Sequence, residues 1–130
     1  MMTLFEDMCR ALELIESEHD IYAGIIRLVL KTPGFDVNTL QQWGNEWRHR
    51  RAALHAACGD TIRSHVGAQL LLSDERCDVN LRDGDGRTAL MTAVRLVESE
   101  NDKHAKIVRN LLAHPHAMVN KTREFSDTPL

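Results

Sequence analysis

Asp83-Gly84-Asp85-Gly86 is the first place in this 130-residue chain where side chains could gather around a cation. Read as a calcium loop of the EF type, Asp83, Asp85 and Gly86 take the third, fifth and sixth positions. The first position then falls on Leu81 and the bidentate twelfth on Thr92, and neither supplies a carboxylate. The stretch therefore reads as an acidic turn. Other donors are no better assembled. His114 and His116 flank Pro115 without further ligands, and Cys9, Cys58 and Cys77 form no CxxC pair. No Ser/His/Asp set, phosphate loop or pair of carboxylates stands at a recognisable spacing. The residues point to a chain with no catalytic site, metal, cofactor or small-molecule substrate of its own.

A different kind of chemistry is concentrated in "TLQQWGNEWRHRR". It holds both tryptophans, Trp43 and Trp47, beside the cluster Arg48, His49, Arg50 and Arg51. Three roles fit these residue types. The rings could cover neighbouring helices while the arginines stay solvated, or Trp43, Trp47 and Arg48 could anchor a protein partner, as Trp and Arg commonly do. Stacking plus phosphate contact would suit a nucleic acid, but 16 basic residues against 19 acidic ones, well mixed, leave no extended basic surface for it.

The elements that must carry these residues read as helices. With 43% hydrophobic and 27% charged residues, the chain is globular and long enough for one core. Residues 4–17 bring Leu4, Phe5, Met8, Cys9, Leu12 and Ile15 to one face, with Thr3 and Glu6 at capping-box spacing. A second helix over 20–30 carries Ile21, Ile25, Leu28 and Val29, and Pro33-Gly34 stops it. Helices follow over 52–58, over 61–72 (Ile62, Val66, Leu70 and Leu71 inward), over 88–98 and over 102–113 (Ile107, Val108, Leu111 and Leu112 inward), and Pro115 ends the last. No stretch alternates long enough to be a strand. The acidic N-terminus lacks the basic and apolar parts of a signal peptide. The longest apolar run, "IYAGIIRLVL", carries Arg27 and is too short to cross a bilayer. A cytoplasmic protein with reduced thiols is expected, without membrane partners.

Self-similarity organises these helices. "DVN" at residues 36–38 and 78–80, and "MVN" at 118–120, are each followed by a second mark, "AALHAAC", "TALMTAV" and "TPL". The stretch "DVNLRDGDGRTALMTAV" resembles the ankyrin repeat, with Asn80, Asp83, Gly86, Thr88, Ala89 and Leu90 on the pattern and Met91 where histidine is usual. The preceding copy keeps "LHAA" at residues 54–57 but has Ala52-Ala53 for Thr-Pro. The resemblance implies an all-α solenoid of stacked antiparallel helix pairs. Its units would be an N-terminal capping pair over 1–35, a repeat over 36–77 with the long Trp/Arg finger, a repeat over 78–117 and an incomplete repeat over 118–130. His55 would then hydrogen-bond loop backbone, Thr88 would cap its helix, and Gly86 would supply a tight turn.

The resemblance also implies a function, binding another protein through finger tips and the inner face of the first helix of each pair. Carried position by position, it selects Arg82, Gly84, Asp85, Arg87, Arg95 and Leu96 in the middle of the chain, and Glu124, Phe125 and Asp127 near its end. The units are longer than the ~33-residue norm. Six extra residues separate Asn38 from Ala52, and "VRLVESENDKHAK" reads as a lengthened helix connection. Since the last complete pair would keep an apolar side uncovered, three outcomes are open: self-association there, a place in a longer ankyrin protein, or the tail folding back as its own cap. A regulatory or targeting segment of a larger enzyme, or of a secreted bacterial effector acting in a host cytosol, is the alternative reading, with catalysis outside this chain.

Overall fold

The computed structural model describes residues 4–42 and 50–117. Six helices are present among them: α1 Leu4–Leu14, α2 Ile21–Lys31, α3 Ala53–Ala57, α4 Val66–Leu72, α5 Ala89–Leu96 and α6 Lys103–Ala113. Each odd helix packs antiparallel on the even one after it, and α1, α3 and α5 form one layer against the layer of α2, α4 and α6. The result is a stack of three helix pairs. One apolar seam runs through them, with Met8, Cys9, Leu12, Ile15, Ile26, Cys58, Leu71, Ile107 and Leu111 inaccessible to solvent.

Local chemistry sets where the helices begin. The Asp20 carboxylate accepts from the amides of Glu16 (2.9 Å), Ser17 (3.1 Å) and Ala23 (3.0 Å), so it closes the turn after α1 and caps α2. Asp102 repeats this with Glu98 (2.6 Å), Ser99 (3.1 Å) and Ala105 (2.8 Å). Each carboxylate satisfies amides that the helix start leaves without a partner, which favours the helix beginning there. Arg27 donates to the Glu18 carbonyl at 3.2 Å and Arg109 to that of Glu100 at 3.0 Å. The two turns are one device written twice, Ile15-Glu16-Ser17-Glu18-His19-Asp20 and, 82 residues later, Val97-Glu98-Ser99-Glu100-Asn101-Asp102. The segment read above as a lengthened connection thus has the same length in the first and third pairs. The second pair differs instead in its shorter helices, Ala53–Ala57 and Val66–Leu72.

Four other expectations shift. The helix expected from residue 61 begins at Val66, because Thr61 donates its hydroxyl to Glu13 (2.9 Å) and Ser64 donates to the Ile15 carbonyl (2.8 Å). Those hydroxyls tie the turn to the first pair instead of extending α4. In α2 the buried face is Ala23, Ile26, Val29 and Leu30, whereas Ile21 and Leu28, expected inward, are 71% and 68% exposed. An almost wholly apolar helix has no polar side to fix its rotation, so periodicity alone could not choose. Leu4 and Leu112 are also open to solvent, one on the first described pair and one on the third. Finally, Gln41–Gln42 (β1) and Arg50–Arg51 (β2) form a short antiparallel ladder, Gln41 opposite Arg51, at the base of the long finger where no strand was expected.

The DVN marks have a structural reason. Val37 and Val79 are buried, and the aspartate before each valine accepts from the following asparagine amide at 2.9 Å. Asn38 then bridges to the next unit, donating to the Arg76 carbonyl (2.7 Å) and accepting from the Asp78 amide (2.7 Å). Asn80 donates to the His116 carbonyl at 2.8 Å. A side-chain amide donates and accepts at once, and that dual capacity lets one residue type splice successive loops.

Candidate partner-binding surface

The finger over residues 81–87 is held from inside. Asp83 accepts from the amides of Asp85 (2.9 Å) and Arg87 (3.0 Å), and its own amide donates to the Arg87 carbonyl at 2.8 Å. Gly86 sits at φ 81°, the left-handed region that favours glycine. The Asp83 carboxylate is therefore a turn former, as the sequence reading held. Gly84 lies against the neighbouring finger: its amide donates to the Arg50 carbonyl at 2.7 Å, and a Cβ there would fall 3.0 Å from the Arg50 nitrogen. Two adjacent fingers are thus joined through main chain.

His55 supports this arrangement from below. Its Nδ1 accepts from the Ala52 amide at 3.1 Å, which leaves the proton on Nε2 to donate to the Leu81 carbonyl at 2.9 Å. Burial lowers its pKa below the ordinary histidine range. The ring caps α3, whose first position is an alanine that cannot, and fixes the root of the finger. At α5 the Thr88 hydroxyl accepts from the Met91 amide at 3.3 Å. Burial pushes the thiols of Cys9 and Cys77 up to about 12, and Cys58 is also raised, so all three stay protonated at neutral pH.

On this frame Asp85 and Arg87 are exposed at the finger tip, and Arg82 is half-buried with its guanidinium on the Gly86 carbonyl. Arg95 is exposed in the last turn of α5, and Leu96 is half-buried beside it. Arg50, exposed on β2 against Gly84, joins the group. It was read only as part of the basic run, and its place beside the next finger depends on a main-chain contact that no spacing reveals. Trp43, Trp47, Arg48, Glu124, Phe125 and Asp127 lie outside the described residues, as does Thr3 of the expected capping box.

The repeated marks, the stacked pairs and the spliced loops converge with a comparison against family models, in which three copies of the ankyrin repeat match residues 17–123. The chain is an ankyrin-repeat protein. Its fold is the all-α repeat solenoid expected from the sequence. Ankyrin repeats generally serve protein–protein interaction. No solved structure matches the chain. Among the described residues no helix is long and apolar enough to cross a membrane.

Proposed function

We propose that this chain is a non-catalytic binding module that holds a partner protein on its finger tips and on the adjoining surface of α5. The supporting observation is the preorganised pair of fingers. Asp83, Gly86 and His55 fix the loop, and Gly84 locks it to Arg50, so little conformational entropy is lost on binding. The exposed guanidinium groups of Arg50, Arg87 and Arg95 suit a partner segment that presents carboxylates, which arginine can hold in bidentate fashion. Arg82, Asp85 and Leu96 complete the surface. Trp43, Trp47, Arg48, Glu124 and Phe125 are assigned to it on sequence grounds, the tryptophans as apolar anchors. The buried, unpaired thiols suit a reducing cytoplasm. Self-association through the exposed aliphatic side chains of the third pair, Val94, Val97 and Leu112, belongs to the same reading of the fold.

The test is binding of a partner recovered from cytosol, measured by calorimetry on the wild type, on Arg87→Ala/Arg95→Ala and on Trp43→Ala/Trp47→Ala. A loss of about tenfold or more from each pair of changes, with an unchanged helical signal, supports the surface. Unchanged affinity in both variants refutes it.

A further inference from the structure

The 82-residue offset between the first and third pairs matches position to position, so each pair shows what the other's free face is built to meet. In the third pair Ala89, Thr92, Ala93, His104, Ile107 and Leu111 are buried where α5 and α6 meet each other and the pair before them. Subtracting 82 gives Asp7, Arg10, Ala11, Tyr22, Ile25 and Val29. In the first pair these six line an open, mainly apolar groove of about 410 Å³. The groove is the face that a preceding helix pair covers elsewhere in the stack.

The opposite end shows the converse. Met8, Leu12, Ile15, Ile26 and Leu30 of the first pair are buried, Leu12 and Ile15 against Gly67 of the second. Their counterparts are Leu90, Val94, Val97, Val108 and Leu112. Of these, Val94 is 54%, Val97 38% and Leu112 50% exposed, and Leu90 and Val108 are half-buried. Among the described residues, the first pair thus carries an unfilled groove and the third pair the aliphatic face that fills such a groove internally.

We propose that these ends are two halves of one interface, and that the α5–α6 face of one copy seats in the α1–α2 groove of a second copy of this chain. The occupant is argued from the stack itself, since the first pair presents the same aliphatic positions to the second pair that the third pair leaves bare. A polar detail runs in the same direction. Ser64 donates to the Ile15 carbonyl at 2.8 Å, and His104 Nε2 lies 2.8 Å from the Gly59 carbonyl, each reaching the turn of the pair before it. Tyr22 stands at the position of His104 and carries the hydroxyl for the same contact with the Val97 turn of the second copy. Such a contact is heterologous: each copy keeps a free groove and a free face, so association does not stop at two. The proposal rests on the self-association named above and is separate from the finger-tip site.

Multi-angle light scattering on the full chain tests it. The wild type is expected to rise steadily above 14.8 kDa with concentration, while Ile25→Glu (groove) and Val94→Glu (face) each stay at 14.8 kDa. Mixed in equal amounts, the two variants regain one intact groove and one intact face, and should form a pair of twice the chain mass and nothing larger. Circular dichroism checks the fold. If Ile25→Glu loses its helical signal, Leu28→Glu, lining the same groove and 68% exposed, replaces it. A wild type that stays at 14.8 kDa up to about millimolar concentration overturns the proposal, as does a mixture that fails to pair. Val94→Glu that associates like the wild type overturns it too, since the contact would then be groove to groove. Partner binding measured on the same variants separates this result from the finger-tip reading.

Discussion

Gly67 is where the stack is tightest, and it yields a prediction whose sign depends on its neighbour. A Cβ added at Gly67 would lie 2.8 Å from Cδ2 of Leu12 and 3.4 Å from Cγ2 of Ile15, across the contact between the first and second pairs. The first distance is about 0.7 Å inside the ~3.5 Å optimum for carbon pairs. Leu12 and Ile15 are both fully buried, so neither can swing away freely. Overpacking of this kind costs roughly 1–3 kcal/mol. Against it stands the helix propensity of alanine over glycine, at most about 1 kcal/mol for Gly67 at the second position of α4. Gly67→Ala should therefore destabilise by about 1 kcal/mol net, where the same change in an open helix would stabilise. Leu12→Val takes the obstructing methyl away at a cost of about 1–2 kcal/mol, one buried methylene plus its cavity. In that background Gly67→Ala should become stabilising by up to about 1 kcal/mol. Urea unfolding of the four proteins, followed by circular dichroism, gives the cycle directly. The reasoning fails if Gly67→Ala stabilises the parent protein, or if the two changes are additive.

Three further outcomes follow from the loops. Asn38→Ala removes both bridges to the next unit and leaves the Asp78 amide without its acceptor, so unfolding free energy should drop by about 1–3 kcal/mol; a change under ~0.3 kcal/mol by urea melt would count against the splice. Gly86→Ala meets no atom within 4 Å and so isolates the backbone cost of φ 81°, about 1 kcal/mol by thermal melt; a gain in stability would show that the turn relaxes. The pKa of His55 is lowered in the folded state, chiefly by burial, and that of His65 is lowered for the same first cause. Protonation then favours the unfolded chain, so stability is full above the unfolded histidine value near 6.5 and is lost as pH falls below it. Urea midpoints at pH 7.5 and 5.5 should show this fall, smaller in His55→Gln; equal slopes in both proteins would remove His55 as its source.

The fold was legible in the sequence wherever a residue type answers one geometric need. Asn80 can splice loops, Thr88 can cap, and Gly86 can take positive φ, so their order announced the repeat. The rotation of α2 was hidden because nearly every residue from Ile21 to Leu30 is apolar, and burial there is decided by what Ala23 and Ile26 pack against. The kinship of the first pair with the third was present in "IESEHD" and "VESEND" but stands in a turn, away from the DVN and Thr-Ala-Leu marks that define the pattern. Of the candidate surface, the arginines at the finger tip follow from alignment to the repeat. The link between Gly84 and Arg50 does not, since it is a main-chain contact between segments 34 residues apart.

The central claim, that the helix pairs stack with the first pressed directly onto the second, is tested most directly by a single NMR observation. A nuclear Overhauser effect between the Leu12 methyl protons and the Gly67 α protons should be strong, because a Cβ at Gly67 would come within 2.8 Å of that methyl carbon. A fully assigned spectrum in which the Leu12 methyls show contacts within α1 and α2 but none to Gly67 would contradict the account.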